Sequence, residues 1–351
     1  QATFSILFVD VKVEHTYTIG TLQLGVPEPS LAGTDGIPEL FDGDSASAAG
    51  NLYLTMSPTG SSYWVVSHVS GDAANADGET VQVSGLGYKQ TFSHVKHVVA
   101  NAGSGNDTVI IGDEITSSVN IHGSGGNDSI IVQSAGPAGN VVDGGDGADY
   151  VKIYAAPGSS PDLTRFTAEG GTGPSDELNL SFSNDVDSVV LSETTGTGWK
   201  AVTDSSEILA GHFEKVTLIL MGGADQVTLN TLVNTGIGKM TLNLGVDSAR
   251  ESVTFNGSAG SDFYSTDVVS GSFQVTALAG SAPVTQFILG YAGSSQGGCD
   301  VNFNLAAGND GATVIQAMAD IALHFDGGED DDYFQILPGT SSNQKIGRAH
   351  V

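Results

Sequence analysis

The chain has 351 residues, of which 40 are acidic and 11 basic, so its formal net charge at pH 7 is −29. A charge of this sign and size disfavours nucleic acid and anionic membrane surfaces as partners. The 48 glycines, with abundant Ser, Thr, Asn, Asp and Val, favour strands and tight turns over helices. Because the aspartates cluster in glycine-rich turns, we expect them to bind a cation rather than only to keep the surface soluble.

The chain contains one cysteine, Cys299, which excludes an internal disulfide and a cysteine-based metal site. We expect it to be a small buried apolar residue. No apolar run reaches the ~18 residues that a membrane-spanning helix needs. The chain begins at Gln1 without a signal-peptide pattern, and we interpret it as an internal part of a larger secreted or cell-surface protein.

The first 81 residues contain strand-like runs but no internal repeat. We expect them to form a β-rich module or a cap, because an uncovered first coil of a repeat fold would present an unpaired strand edge. Tyr63 and Trp64 are adjacent in one of these runs. Such a pair can stack on carbohydrate, but in a strand it more commonly supplies core on one side and half-buried surface on the other.

Three glycine-rich turns between residues 101 and 154 organise the part that follows. Each turn closes on an aspartate and precedes an apolar run; the turns are Gly103-Ser-Gly-Asn-Asp107, Gly123-Ser-Gly-Gly-Asn-Asp128 and Gly144-Gly-Asp-Gly-Ala-Asp149. The three closing aspartates are 21 residues apart, twice in succession. A repeat of this length, made of one turn and one strand-like run, predicts the coil of a β-solenoid.

Later turns keep parts of this pattern at looser spacing. Asp225, Asp310 and Asp332 stand in turns that match it fairly, whereas the turns at Asp176 and Asp262 match it poorly. A solenoid is therefore predicted over residues 82–340, with a hairpin inserted at about 187–208.

Residues two and four positions after each motif aspartate should face the core, because side chains alternate along a strand. These positions are apolar in all but one unit, Tyr264 and Thr266 being partly polar; the apolar pairs are Val109/Ile111, Ile130/Val132, Val151/Ile153, Leu178/Leu180, Val227/Leu229, Ala312/Val314 and Phe334/Ile336. The regularity predicts an all-β fold, a parallel β-helix or β-roll solenoid with Gly-Asp turns. Residues 315–325 are the one segment whose sequence suggests a helix.

The third turn resembles the nonapeptide Gly-Gly-x-Gly-x-Asp-x-U-x of the RTX (haemolysin-type) calcium-binding repeat proteins, where U is a large apolar residue. Gly144, Gly145, Gly147, Asp149 and Val151 occupy every fixed position of that motif. The first two turns each depart from it at one glycine. Similar repeats occur in very large bacterial surface and adhesin-like proteins, so the resemblance implies a secreted calcium-binding repeat region.

The resemblance implies that the turns bind calcium between neighbouring coils. The expected ligands and turn glycines are Gly103, Gly105, Asp107, Gly126, Asp128, Asp143, Gly145, Asp146, Gly147, Asp149, Asp225, Asp310 and Asp332. In the family the nonapeptides follow one another directly and both edges of the solenoid carry metal. Here each motif is followed by a longer stretch of other residues, which implies metal along one edge only.

Elementary electrostatics favours a cation in such turns. Glycines bring carbonyl groups close to a common point, and calcium takes six to eight oxygen ligands. Stacked coils lie about 4.8 Å apart, and two carboxylates at that separation repel by roughly 3.5 kcal/mol at an effective dielectric constant of ~20. A bound cation would turn this repulsion into a cross-link. The alternative is that the Gly-Asn-Asp sequences only form turns and leave their carboxylates in water.

The residue pattern indicates structural metal binding and identifies no catalytic group. Two further interpretations stay open: a non-catalytic part of a β-helical polysaccharide lyase or epimerase, and a solenoid that binds glycans or other surface proteins.

His94 and His97 are three residues apart. On a strand this spacing points them to opposite sides, so they are not expected to bind one metal ion together. The last six residues, 346–351, resemble a translated sequencing adaptor, and we expect residues 341–351 to be a tail.

Overall fold

A computed structural model describes residues 39–41, 50–54, 56–137, 139–155, 164–194, 198–232, 234–245, 248–279, 282–290 and 298–337. The regular elements in these ranges are strands, which form two sheets of 13 and 14 strands. The inward side chains of both sheets form one hydrophobic core. The predicted all-β solenoid is confirmed, and no described helix is long and apolar enough to cross a membrane.

The first sheet, sheet A, contains 13 strands. In spatial order they are β1 (Glu39–Phe41), β2 (Asn51–Leu54), β6 (His97–Asn101), β8 (Ser118–His122), β10 (Asn140–Gly145), β12 (Thr164–Gly171), β16 (Ser206–Gly211), β15 (Trp199–Val202), β14 (Ser188–Glu193), β18 (Gln226–Asn230), β20 (Glu251–Asn256), β24 (Cys299–Asn304) and β26 (Ile321–Asp326).

The second sheet, sheet B, contains 14 strands. In spatial order they are β5 (Tyr88–Val95), β4 (Glu79–Gly85), β3 (Tyr63–Gly71), β7 (Thr108–Ile111), β9 (Ser129–Val132), β11 (Tyr150–Tyr154), β13 (Glu177–Ser181), β17 (Lys215–Ile219), β19 (Lys239–Asn243), β23 (Ala282–Gly290), β22 (Ser272–Ala279), β21 (Phe263–Val269), β25 (Gly311–Val314) and β27 (Tyr333–Ile336).

A regular coil consists of one strand in sheet A, a glycine-rich turn and one strand in sheet B. Successive coils stack in parallel register, so that Val109 lies beside Ile130, and Ile130 beside Val151. All three side chains are buried, as the alternation predicted. Tyr264 and Thr266 are also buried, so the unit after Asp262 follows the same pattern despite its polar residues.

The suggestion of a helix at residues 315–325 was wrong. Residues 315–320 form no helix or strand, with a bend at Ile315 and a turn at residues 319–320, and β26 begins at Ile321. Its buried residues alternate, with Ile321, Leu323 and Phe325 in the core. A spacing of two is the strand period, and pairing with β24 decides the conformation of this short apolar run.

Three antiparallel meanders interrupt the regular coils: β3–β4–β5, β14–β15–β16 and β21–β22–β23. The hairpin expected at about 187–208 belongs to the second of them, and it is not an appendage of one coil. Its first strand, β14, pairs in parallel with β18, and its last strand, β16, pairs in parallel with β12. The chain therefore steps forward along sheet A and returns through the meander before the next coil begins.

Parallel pairing begins upstream of the boundary expected at residue 81. Strand β2 pairs with β6, and β3 pairs with β7, so the first coil shares both sheets with the rest. Strand β1 pairs antiparallel with β2, and β4 and β5 lie beyond β3. The edge strands at this end are thus antiparallel additions to the stack. The expected tail, residues 341–351, lies outside the described residues.

The first meander is fixed to the solenoid by a buried carboxylate. Glu79 accepts hydrogen bonds from the backbone N–H of Ser117 at 2.7 Å and of Thr116 at 3.2 Å, and it contacts His68 Nδ1 at 3.0 Å. Trp64, in the same meander, is fully buried. This excludes Tyr63 and Trp64 as a pair that stacks together on carbohydrate.

The close stacking of the turns gives a stability prediction. Gly147 has φ +148°, and a Cβ there would lie 1.6 Å from the carbonyl oxygen of Gly126 in the preceding coil. Gly87 has φ +82° with no atom within 4 Å of a Cβ. We expect Gly87→Ala to cost about 1–2 kcal/mol from backbone strain alone, and Gly147→Ala to cost about 3 kcal/mol or more because overlap is added. Urea unfolding of both variants measures this; equal losses would contradict the stacked turns.

Candidate metal site in the aspartate rows

The closing aspartate of each turn bonds to the neighbouring coil through its side chain. Oδ1 of Asp128 accepts the backbone N–H of Asp107 at 2.7 Å, Oδ1 of Asp149 accepts that of Asp128 at 2.7 Å, and Oδ1 of Asp176 accepts that of Asp149 at 2.8 Å. Asp176 in turn donates its N–H to Oε2 of Glu214 at 2.8 Å. We call Asp107, Asp128, Asp149, Asp176 and Glu214 the first row.

Asp176 belongs to this row although its turn matched the motif poorly. Tyr150 pairs with Glu177, so the residues that precede them, Asp149 and Asp176, lie side by side on neighbouring coils. The longer spacing of this coil is taken up mostly upstream of the turn, since Gly145 already pairs with Gly171. The poor match of this turn to the motif therefore does not exclude Asp176 from the regular stack.

A second row lies on the opposite edge of the solenoid. Asp187 donates its N–H to Oδ1 of Asp225 at 2.8 Å, and Asp225 donates its N–H to Oε2 of Glu251 at 2.7 Å. These three residues lie before or at the start of strands of sheet A, whereas the first row precedes strands of sheet B. The motif acids thus occupy both edges of the solenoid, and the expectation of metal along one edge only stays a prediction.

A third row returns to the edge of the first. Oδ1 of Asp310 accepts the N–H of Asp262 at 2.6 Å, and Oδ1 of Asp332 accepts the N–H of Asp310 at 3.0 Å. Asp262 is in register with Asp310, because Phe263 pairs with Gly311. The poor sequence match at Asp262 therefore did not indicate its place in the stack.

Three row members, Asp187, Glu214 and Glu251, were missed by motif matching. They lack the glycine pattern, and two of them are glutamates. The signal that would have found them is an acid directly before an alternating apolar run, as in Glu214 followed by Val216 and Leu218. The carboxylates of Glu214 and Glu251 take the same hydrogen-bonding position as those of the motif aspartates, whereas that of Asp187 accepts the N–H of Ser183 in its own turn at 3.1 Å.

The asparagine that precedes the motif aspartate forms a second ladder in the opposite direction. Oδ1 of Asn106 accepts the N–H of Asn127 at 2.9 Å, and Oδ1 of Asn127 accepts the N–H of Ala148 at 3.0 Å. The asparagine thus bonds to the following coil, and the aspartate bonds to the preceding one. An Asn-Asp pair therefore ties its turn to both neighbours.

The motif glycines allow the turns to stack closely. A Cβ would lie 2.7 Å from the Ser57 oxygen at Gly103, 2.5 Å from the Gly60 oxygen at Gly105, 2.1 Å from the Gly105 oxygen at Gly126 and 2.4 Å from the Ser124 oxygen at Gly145. Two others make room for the carboxylates themselves. A Cβ on Gly123 would lie 2.4 Å from Oδ2 of Asp128, and one on Gly144 would lie 2.6 Å from Oδ2 of Asp149.

Two expected ligands, Asp143 and Asp146, stand outside the buried rows. Asp143 lies on β10 of sheet A with its Oδ2 3.2 Å from Nδ1 of His122. Asp146 is exposed and accepts a hydrogen bond from the hydroxyl of Thr172. Burial raises the pKa of Asp149, and the negative charges of Asp143 and Asp146 add to the rise.

Six of the row carboxylates combine a hydrogen-bonded Oδ1 with a buried second oxygen. The Oδ2 atoms that are buried and accept no hydrogen bond from the described part of the chain belong to Asp107, Asp128, Asp149, Asp176, Asp310 and Asp332. Burial raises the pKa of Asp128 to about 7, and the charges of Asp149 and Asp107 add to the rise. Burial likewise raises the pKa of Asp176 and of Asp310 to about 6. Negative charge in these rows is therefore costly.

The donor atoms available in the rows are hard oxygens: carboxylate Oδ2 atoms and turn carbonyl groups. The same empty Cβ position on Gly123 lies 2.4 Å from Oδ2 of Asp128 and 2.2 Å from the carbonyl oxygen of Gly144, so a carboxylate and a carbonyl of neighbouring coils lie close together. Oxygen donors of this kind suit calcium. No cluster of three or more His, Cys, Asp or Glu side chains converges in the described ranges, so a cation here would need carbonyl ligands as well.

Searches against protein-family models, curated proteins and solved structures find no match to this chain.

The raised pKa values predict how stability depends on pH in the presence of a chelator. A carboxyl whose pKa is higher in the folded than in the unfolded chain binds more protons when folded, so stability falls as pH rises between the two values. For Asp128 this window runs from its ordinary value of 3.8 to about 7. We expect the melting temperature in chelator to rise as pH is lowered from 8 to 5, and Asp128→Asn to flatten this dependence. Scanning calorimetry measures it, and an unchanged slope in the variant would contradict the buried charge.

Proposed function

We propose that this chain is a calcium-stabilised structural repeat region of a secreted or cell-surface, adhesin-like protein. In this role the solenoid acts as an extended scaffold, and the aspartate rows hold calcium ions between coils. The proposed role involves no catalysis. The RTX-like turns between Gly103 and Asp149 support the proposal at the level of sequence.

The observation that carries the proposal is the buried second oxygen of the row carboxylates. A buried ionised carboxylate without a compensating partner is expensive, and here such groups recur on consecutive coils. Asp107, Asp128 and Asp149 are each at most 3% exposed. Either a proton or a cation must offset this cost, and at neutral pH a divalent cation offsets two neighbouring charges at once.

The residues that would hold calcium are the row aspartates with turn carbonyl groups. In the first row these are Asp107, Asp128, Asp149 and Asp176, with the carbonyl of Gly144 among the neutral donors. When bound, calcium would supply an electrostatic cross-link between coils. The chain's own contribution is to present oxygen donors at each coil, fixed in position by the hydrogen bond that Oδ1 already accepts.

Calcium would add to a marginal stability. Extracellular modules bind calcium with Kd near 10⁻⁴–10⁻³ M, which at a few millimolar calcium corresponds to about 1–2 kcal/mol per site. Net folding stabilities are only about 5–15 kcal/mol. A handful of ions in the rows would therefore supply a large part of the net stability, and would make the melting temperature depend on the extracellular calcium concentration.

The test is the sign of the effect of Asp128→Asn with and without calcium. The asparagine keeps an Oδ1 acceptor for the N–H of Asp107 and removes the buried charge. In chelator we expect the variant to be at least as stable as the wild type. In a few millimolar calcium we expect it to be less stable by about 1–2 kcal/mol, the contribution of one site. Thermal unfolding by circular dichroism, with calcium stoichiometry by isothermal titration, measures both.

The matched control is Asp77→Asn, which removes one charge from an exposed hairpin position. It should change neither calcium binding nor stability measurably, because exposed charges contribute little. Magnesium at the same concentration should stabilise less, since it demands a tighter octahedral geometry. Either of two results would contradict the proposal: a wild-type melting temperature that does not respond to calcium, or an Asp128→Asn variant that is more stable than the wild type both in chelator and in calcium.

A further inference from the structure

The outer face of sheet B between β11 and β19 differs in charge from the rest of the chain. Its outward side chains include three lysines, Lys152, Lys215 and Lys239, and a single acid, Glu177. The formal charge of this face is thus positive in a chain whose net charge is −29. The outer face of sheet A carries the opposite sign, with more acids than bases; its acids are Asp143, Glu169, Glu207, Asp300 and Asp326.

The two arginines at sheet A are ion-paired, whereas the three lysines of the face between β11 and β19 are not. On sheet A, Arg165 lies 3.9 Å from Glu207, and Arg250 pairs with Asp300. Lys152, Lys215 and Lys239 take part in none of the ion pairs between described residues, and the ammonium of Lys215 donates a hydrogen bond to the hydroxyl of Ser175 at 2.8 Å. Lys215 and Lys239 are exposed and directly opposite each other on neighbouring strands. Two like charges in this position repel. Glu177 lies opposite Lys215 on the other neighbouring strand and offsets one of them, and the net positive charge that is left on the face favours an anion from outside the chain.

The uncharged side chains around the lysines are suited to sugar rings. Tyr150, Lys152 and Tyr154 alternate outward along β11, and the ammonium of Lys152 lies 4.6 Å from the centre of the Tyr154 ring. The hydroxyl of Tyr150 accepts a hydrogen bond from the side-chain amide of Asn179 at 2.9 Å. Tyrosines offer flat apolar surface with a polar tip, and the amide is held in place at the centre of the face.

We propose that this face, the lysine strip of β11, β13, β17 and β19, binds an acidic polysaccharide such as a polyuronate or a sulfated glycan. The anionic groups of the glycan would contact Lys152, Lys215 and Lys239, and its sugar rings would lie on Tyr150 and Tyr154. The lysines span three strand spacings, about 14 Å, and successive sugar rings repeat at a spacing similar to that of the strands. A glycan chain running across the strands can therefore meet several lysines.

Charge favours a glycan over the other polyanions and over a second copy of the chain. A second copy would bring its own 40 acidic residues alongside, and three lysines do not offset that repulsion. Nucleic acid and a membrane present dense charge over an area larger than the strip, next to the acidic edges. A narrow flexible glycan can lie on the strip and avoid those edges. The binding requires the folded sheet but not the proposed calcium sites.

The experiment compares binding to immobilised polygalacturonate, dextran sulfate and neutral dextran by surface plasmon resonance. The wild type should bind the two acidic polymers and not dextran, with affinity that falls as salt rises. The triple variant Lys152→Gln, Lys215→Gln, Lys239→Gln should bind about tenfold more weakly, because each exposed ion pair contributes a modest free energy. The charge-matched control Lys89→Gln, Lys96→Gln, Lys200→Gln should stay within about twofold of the wild type.

A second pair of variants tests the sugar-stacking role of the strip. Tyr154→Phe should bind polygalacturonate like the wild type, whereas Tyr154→Leu should bind it several-fold more weakly. Circular dichroism confirms the fold of each variant, and all measurements are made in chelator as well as in calcium. Binding through the lysines in chelator separates this proposal from calcium bridging, so it can fail or hold independently of the aspartate rows.

Three outcomes would overturn the proposal. One is an absence of wild-type binding to either acidic polymer. Another is equal weakening in both triple variants, which would indicate non-specific attraction. The third is wild-type self-association that is abolished by the lysine-strip variant in analytical ultracentrifugation, which would make the face an interface between copies of the chain.

Discussion

The hydrogen bond between a backbone N–H at the end of one turn and the acid side chain of the next coil underlies the whole structure. The N–H of each row aspartate needs a partner once it is buried, and the neighbouring carboxylate supplies it. This requirement fixes the register of Asp107, Asp128, Asp149 and Asp176. It also forces negative charges into line at the spacing of the strands. The need for glycines and the raised pKa values of the row aspartates follow from it, and the proposed cation sites rest on it.

The meanders decide where the rows begin and end. The first row closes at Glu214, directly before β17, after the chain has returned through β14–β15–β16. The second row starts at Asp187, the residue that leads into that same meander, and the third starts at Asp262, which leads into β21–β22–β23. A meander of three strands leaves the chain running in the direction in which it entered. Parallel stacking can therefore resume, while the acid row shifts to a new position.

Charge is distributed over the solenoid according to its geometry. The edges hold the acid rows, and the outer face of sheet A holds acids that are partly neutralised by Arg165 and Arg250. The outer face of sheet B from β11 to β19 holds lysines that form no ion pair with described residues. Side-chain alternation separates these surfaces from the core, because neighbouring residues of a strand face opposite sides. One strand, such as β11, can thus contribute Val151 to the core and Lys152 to the outer surface.

The amino-acid sequence by itself determined the coil, because its signals are local: the glycine turn, the closing aspartate and the alternating apolar pairs such as Val109 and Ile111. These predicted the all-β solenoid and the register of Asp107, Asp128 and Asp149. Only the tertiary structure decided which edge each acid occupies, that Asp143 and Asp146 face outward, and that Glu214 and Glu251 complete rows. The reason is that a row is made by residues far apart in the chain, and the meanders set which coils become neighbours.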